Sequence, residues 1–192
     1  KDQVLSADLV GSFEGRPQVV KAMVNLADDN LPFSVTTSFD RSPLSPFIAF
    51  IPQLKGVPIT GTGTGKIEFG GNLRAKNDKG ESIFDASSLA GTATFSQLDL
   101  NIQDTPLGAV EPIVIRFSPR EVNFDNAKFA GGGSNMTISG TKGIVDDAEN
   151  NLEINGKVNL SLLNLAKTDV FFAGVADVAV RLNGPNKVSR LT

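Results

Sequence analysis

The sequence contains no histidine, cysteine, tryptophan or tyrosine. Histidine and cysteine supply most of the general bases that work near neutral pH, the thiolate nucleophiles and the zinc ligands of proteins. The remaining Asp, Glu, Ser, Thr and Lys residues form no recognisable catalytic motif. We therefore predict a protein that is not an enzyme, with no catalytic residue, no metal and no cofactor. The lack of cysteine is compatible with an oxidising compartment.

Clusters of like charge and long apolar runs are also missing. The 18 basic and 21 acidic residues are scattered and give a formal net charge of -3. Nucleic-acid binding depends on neutralising phosphates, so we expect no nucleic-acid partner. The longest strongly apolar stretch without a charge, Val170 to Ala176, is far shorter than the roughly 20 residues of a membrane-spanning helix. We predict no membrane span, and an internal fragment whose anchoring and targeting parts lie elsewhere.

Short alternating segments dominate the chain, which also contains 19 Gly and 10 Pro. In Phe33 to Asp40, apolar and polar residues follow each other with the period of two that places them on opposite sides of a β-strand. One polar side per strand favours antiparallel pairing, so the predicted fold is all-β. The other segments with this pattern are Leu98–Ile102, Ile113–Phe117, Val122–Phe124, Met136–Gly140 and Asn151–Leu162.

Two segments have helical features instead. Ser42 to Gln53 combines an N-cap serine, Pro43 at the first helical position, and apolar residues at helical spacing. Leu160 to Ala166 is a weaker candidate for a second short helix.

Glycine spacing after these two segments suggests an internal repeat. Gly61 and Gly71 are separated by the same distance along the chain as Gly174 and Gly184. We predict an array of units, each opening with a short helix that is followed by strands. The predicted units are 1–41, the end of one unit, 42–159, a central unit, and 160–192, the start of the next.

Four motifs have ordinary structural explanations. Gly61 to Lys66 lacks the spacing of a phosphate-binding loop and fits a strand that is thin on one side, suited to close packing or to a ligand. Gly131 to Gly133 predicts a tight turn between strands. Asp146, Asp147 and Glu149 do not match a calcium loop and predict a solvated hairpin tip, as Asp28 and Asp29 predict a turn.

Several stretches resemble the TamB / AsmA-like family of envelope-spanning proteins. They are Pro43 to Ile48 with Gly56, Gly91 to Ile102 with Pro106-Leu107, Phe129 to Gly140, and Asn151 to Asn164 with Phe172 to Pro185. The resemblance covers about Leu31 to Pro185 and is a degenerate pattern of helix, strand and glycine.

This resemblance implies an elongated, folded-over antiparallel sheet, or β-taco, with a hydrophobic concave interior and one or two short helices. It also implies a place in the periplasm, as part of an inner-membrane-anchored protein that reaches the outer membrane. The implied function is transport of phospholipid acyl chains between the two membranes. An outer-membrane Omp85-type protein (TamA-like) is an implied partner through other parts of the full chain.

Same-parity side chains of successive strands are then the candidate lining of a lipid groove, with the opposite parity, such as Lys66 and Glu68, facing water. An alternative stays open, in which the apolar side is only a core and the protein is a scaffold or assembly factor for outer-membrane β-barrel proteins that acts by strand pairing. The candidate lining residues are Val20, Ala22, Val24, Phe33, Val35, Phe39, Ile59, Ile67, Phe69, Leu98, Leu100, Ile102, Ile113, Ile115, Phe117, Met136, Ile138, Leu152, Ile154, Val158, Phe172, Val178, Val180 and Leu182.

Overall fold

The computed structural model describes residues 3–45, 58–76, 80–165, 172–186 and 190–191. It confirms the all-β prediction, because one antiparallel sheet of twelve strands accounts for most of these residues. The strands are β1 (Val4–Phe13), β2 (Arg16–Asn25), β3 (Pro32–Pro43), β4 (Ile59–Lys76), β5 (Ser82–Ile102), β6 (Thr105–Ala109), β7 (Ile113–Phe117), β8 (Glu121–Gly131), β9 (Ser134–Gly143), β10 (Glu149–Asn159), β11 (Val175–Pro185) and β12 (Arg190–Leu191).

Strand order follows chain order, so the sheet is an elongated meander. The spatial order is β1-β2-β3-β4-β5-β6-β8-β9-β10-β11-β12. The exception is β7, which shares the gap between β5 and β8 with β6. The long strand β5 pairs with β6 near Leu100 and with β7 near Ala93. Two short strands thus lie end to end where one long strand lies elsewhere.

Tight turns join the strands where the sequence predicts them. Gly132 and Gly133, which connect β8 to β9, both have positive φ angles that side chains other than glycine rarely adopt. The segment 144–148 connects β9 to β10, and 26–31 connects β2 to β3. The predicted turns at Gly131–Gly133, Asp28–Asp29 and Asp146–Asp147 are confirmed.

The predicted strand Asn151–Leu162 is wrong over its last three residues. Strand β10 ends at Asn159, and a 3-10 helix spans Leu160–Leu165. The Asn159 side chain caps this helix, since its Oδ1 accepts a hydrogen bond of 3.0 Å from the backbone N–H of Ser161. The weaker of the two helix predictions therefore fits a short helix of the 3-10 type.

The predicted start of the first helix is also wrong. Ser42 and Pro43 are the last residues of β3, where they pair with Gly63 and Thr62 of β4. Strand pairing therefore overrides the local capping signal of Ser42, which is fully buried. Leu44 lies in a bend and Ser45 is helical, in agreement with the prediction at that position. The rest of the predicted helix, from residue 46 onward, lies outside the described residues.

Candidate functional site: an apolar face across the sheet

One side of the sheet carries a nearly continuous apolar row that runs across ten strands. Residues paired directly across antiparallel strands project from the same side, so the register identifies the members of the row. Only Thr37 and Gly140 interrupt its apolar character. We call this side of the sheet the apolar face. The row consists of Leu9, Val20, Thr37, Ile67, Ala93, Ile115, Phe124, Gly140, Leu152 and Leu182.

The structure places the candidate lining residues on this face, with one exception. Phe172 lies before β11 and outside any strand, with its side chain 36% exposed. The others belong to the apolar face of their strands: Val20, Ala22 and Val24 of β2; Phe33, Val35 and Phe39 of β3; Ile59, Ile67 and Phe69 of β4; Leu98, Leu100 and Ile102 of β5; Ile113, Ile115 and Phe117 of β7; Met136 and Ile138 of β9; Leu152, Ile154 and Val158 of β10; Val178, Val180 and Leu182 of β11.

Two β-bulges explain residues that the sequence prediction missed. Thr64 of β4 pairs with Gln97 of β5, whereas the next residue, Gly65, pairs with Phe95. Ser96 is therefore the extra residue in β5. A bulge of this kind shifts the alternation by one residue. The apolar positions of β5 therefore have odd numbers before Ser96 and even numbers after it. Phe95 and Ala93 therefore join the apolar face.

A second irregularity, between Phe124 and Ala127 of β8, has the same effect on that strand. Ala127 and Phe129 join the face after it, and both are buried. A change of parity within one alternating run is the sequence signal that would identify such residues. Further members of the face that the prediction missed are Leu5, Ala7 and Leu9 of β1 and Leu107 of β6.

At the middle of the apolar face, the side chains of the sheet bury one another. Ile113 is completely buried, and Leu107 is 3% exposed. Leu44, which follows β3, joins the same cluster. The other buried members of this cluster, which we call the central core, are Leu98, Ala127 and Phe129.

The first strands leave the same face far more open. On β1, Leu5 is 60% exposed and Leu9 is 61% exposed. Val20 and Val24 of β2 are half-buried, as are Phe33 and Val35 of β3. On the far side of the central core, β11 is half-buried along the face, at Val178, Val180 and Leu182. The apolar face is thus solid at the centre and accessible at its two flanks.

The glycine run of β4 is filled by neighbouring side chains. A Cβ placed on Gly63 would lie 3.2 Å from Cδ2 of Leu44 and 3.3 Å from Cδ1 of Phe95. The Phe95 ring in turn packs edge-on against Phe39, with centroids 5.9 Å apart. The absence of a side chain at Gly63 therefore permits close packing of Leu44 and Phe95, rather than providing space for a ligand.

The opposite face of the sheet is polar and carries ion pairs. Lys66 Nζ lies 2.7 Å from Glu68 Oε1 on β4, and Arg181 of β11 pairs with Glu153 of β10. Glu68 and Lys66 are exposed, as the parity of β4 predicts. Further pairs join Lys128 to Glu111 and Arg116 to Asp125.

An ion pair near the strand ends joins Arg120 to Asp147. Arg120 Nη2 donates to Asp147 Oδ2 at 2.8 Å, and this hydrogen bond, helped by the positive charge, holds the pKa of Asp147 below its ordinary value. The pair ties the β7–β8 connection to the β9–β10 turn. Asp147 thus belongs to a hairpin tip that is solvated but anchored by one arginine.

The described residues contain no group of Asp or Glu side chains placed to hold a metal ion. They also contain no helix that is long and apolar enough to cross a membrane. No protein-family model, curated protein or solved structure matches the chain. The apolar face is therefore the feature on which a functional proposal has to rest.

Proposed function

We propose that this chain is a segment of a periplasm-spanning lipid-transport protein, which carries phospholipid acyl chains along a hydrophobic groove between inner and outer membranes. The groove is formed by the apolar face. The observation that supports the proposal is the apolar row, which continues across ten strands at right angles to them. An ordinary two-layer sandwich does not need such continuity along the whole sheet, because each part of its core can close on itself.

Exposing a hydrocarbon chain to water costs free energy. Each methylene group that enters water costs about 0.8 kcal/mol, so a sixteen-carbon acyl chain costs on the order of 12 kcal/mol. A chain that slides along an accessible flank of the apolar face exchanges one apolar contact for another. Movement along each flank therefore avoids the cost that release from separate pockets would incur.

The flanks of the apolar face are where the proposal places the acyl chain. Residues of the central core are already covered and offer little contact, as the complete burial of Ile113 illustrates. Val20, Val24 and Phe33 present partly covered apolar side chains, and Leu9 is mostly exposed. An acyl chain lying on these residues would remove apolar surface from water, which favours binding.

A crosslinking experiment with paired positions on one strand tests this proposal. A photoreactive amino acid replaces Val20 or Val24, which lie on the apolar face, or Val19 or Met23, which lie on the polar face of the same strand. In cells that produce the protein, phospholipid should be captured at Val20 and Val24 and not at the two control positions. Equal capture from both faces, or capture from neither, would contradict the proposal.

A second candidate function is assembly of outer-membrane β-barrel proteins by strand pairing, and the exposure of β1 favours it. Among the described residues, β1 is the first strand of the sheet and pairs with β2 alone. It is exposed on both sides, with Val10 82% exposed and Val4 52% exposed on the polar face. A long exposed edge with apolar side chains is suited to adding another strand.

A charged substitution on strand β1 distinguishes the two candidate functions experimentally. Val10→Lys places a lysine on β1, and edge lysines oppose pairing with further strands. Strand pairing should therefore be lost in Val10→Lys, whereas lipid capture at Val20 should be retained. Loss of barrel-protein assembly with intact lipid capture would identify pairing as an activity of this edge.

A further inference from the structure

Lys142 is the only charged residue on the apolar face of strands β9, β10 and β11. Lys142 lies two residues after Gly140 on β9, so the two residues lie on the same face of the sheet. It pairs with Val122 of β8. Asn150, the next position on that face of β10 after Leu152, lies beside it. A lysine placed within an apolar row is unusual, because burying part of a charged side chain costs free energy unless a partner compensates.

Within the part of the chain that the structure describes, the ammonium group of Lys142 contacts only neutral oxygens. Nζ donates to the carbonyl oxygen of Gly143 at 2.8 Å, to Oδ1 of Asn150 at 3.1 Å, and to Oδ1 of Asn186. Asn150 is itself fixed, because it is 3% exposed and accepts a second bond from the backbone N–H of Gly143 at 2.9 Å. The position of the charge is therefore well defined.

No carboxylate among the described residues forms an ion pair with Lys142. This contrasts with Lys66 and Lys128, which lie on the polar face and have acidic partners. The three hydrogen bonds satisfy the donors of the ammonium group but leave its charge uncompensated. Beside an apolar surface such a charge attracts anions more strongly than it would in bulk water.

Space for a ligand group lies next to this lysine. Gly184 of β11 pairs with Asn150, and no described atom lies within 4 Å of the position that a Cβ on Gly184 would occupy. Along the same strands, Leu152 and Leu182 continue the apolar row immediately beyond. The charge of Lys142, the open position at Gly184 and the apolar row therefore lie next to one another on neighbouring strands.

We propose that Lys142 binds the anionic group of an amphiphile, a phosphate or a carboxylate, whose hydrocarbon chain lies along the apolar row. The anion takes the place of the Asn186 oxygen, which lies beyond the end of β11 and is the one of the three oxygens that comes from outside β9 and β10. Charge-assisted hydrogen bonds of this type are stronger than those between neutral groups. This inference rests on the proposed function, because it assumes that the apolar face accepts a hydrocarbon chain.

Calorimetric titration of the full chain with dodecanoate, dodecanol and inorganic phosphate tests the inference. Lys142→Met removes the charge and keeps a similar length, Lys142→Arg keeps the charge, and Lys157→Met removes a charge from the exposed polar face of β10. Lys142→Met should weaken dodecanoate binding by about ten- to a hundredfold, the loss expected for a hydrogen bond to a charged group. Dodecanol binding should stay unchanged, Lys142→Arg should bind dodecanoate nearly as well as the native chain, and Lys157→Met should have no effect.

Other outcomes separate the inference from the proposed function. Equal weakening of both dodecanoate and dodecanol by Lys142→Met, or an equal effect of Lys157→Met, would overturn the role of Lys142 while leaving lipid binding intact. Phosphate binding as tight as dodecanoate binding would assign the site to a soluble anion instead. Failure of the native chain to bind either amphiphile would overturn the proposed function itself. Lys142→Gln, whose amide can still donate to Asn150, replaces Lys142→Met if the latter does not fold.

Discussion

Phe117 fills the space that a side chain on Gly91 would need. The two residues are paired across β5 and β7, and a Cβ on Gly91 would lie 2.5 Å from Cζ of Phe117. It would also lie 2.5 Å from the backbone oxygen of Glu68 on the other neighbouring strand, β4. The ring can move, but the backbone oxygen of a central strand cannot do so without disturbing the sheet.

Gly91→Ala should therefore destabilise the protein. The expected loss in free energy of unfolding is about 1–3 kcal/mol, the usual cost of overpacking a filled site. Chemical denaturation measures it. Gly11→Ala on β1 is the matched control, because no atom lies within 4 Å of the added Cβ, and its stability should be unchanged or slightly raised. Equal effects of the two substitutions would show that the face is not packed around Gly91.

Removing the side chain of Ile113 tests whether the central core is solid. Ile113→Ala leaves a cavity at a completely buried position, and the expected loss of stability is about 2–5 kcal/mol. Val10→Ala, at an 82% exposed position on β1, should change the stability by less than about 0.5 kcal/mol. A small effect at Ile113 would mean that the apolar face is open at its centre as well as at its flanks.

Much of the fold follows from alternation alone, which identifies the strands and their apolar sides. Val20, Val35 and Ile67 lie on one face because the period of two carries through each strand and the register aligns the strands. The bulge at Ser96 could not be predicted by simple alternation, since it depends on how β5 pairs with β4. Phe95 was missed for this reason.

Contacts between segments that are far apart in the sequence determine which part of the apolar face is buried. Leu44 covers Gly63, and the short strands β6 and β7 occupy one gap in the sheet, so the centre becomes solid while β1 and β2 stay open. No local pattern distinguishes the buried Ile113 from the half-buried Ile67. The helix signal at Ser42 failed because pairing with Gly63 outweighs a local cap.

The ion pair between Arg120 and Asp147 predicts a measurable pKa effect. The hydrogen bond from Arg120 and its positive charge lower the pKa of Asp147, so the carboxylate should titrate below its ordinary value of 3.8. A pKa that is lower in the folded state stabilises the fold above the unfolded-state value and loses this contribution as pH falls through the folded-state value. Because both side chains are exposed, the effect on overall stability should be small.

Nuclear magnetic resonance titration of the Asp147 carboxyl carbon tests this effect directly. In Arg120→Gln the pKa of Asp147 should rise toward its ordinary value. Lys128→Gln serves as the control, since it removes an equal charge from a different ion pair. The same pKa in all three proteins would show that the arginine does not hold the β9–β10 turn through this carboxylate.

We propose that one face of the sheet, and not the other, holds acyl chains. Val19 and Val20 are adjacent, both half-buried, and lie on opposite faces of β2, so they form a matched pair for the same substitution. An aspartate on the apolar face places a charge against the hydrocarbon chain, which is costly in an apolar setting. The variants are Val19→Asp and Val20→Asp, with Ile67→Asp as a second change in the same row as Val20.

Native mass spectrometry of the chain purified from the cell envelope measures the phospholipid that each protein retains. The native chain and Val19→Asp should retain phospholipid, while Val20→Asp and Ile67→Asp should lose it with the fold intact by circular dichroism. Retention that is unaffected in Val20→Asp and Ile67→Asp, or an equal loss in Val19→Asp, would contradict the account.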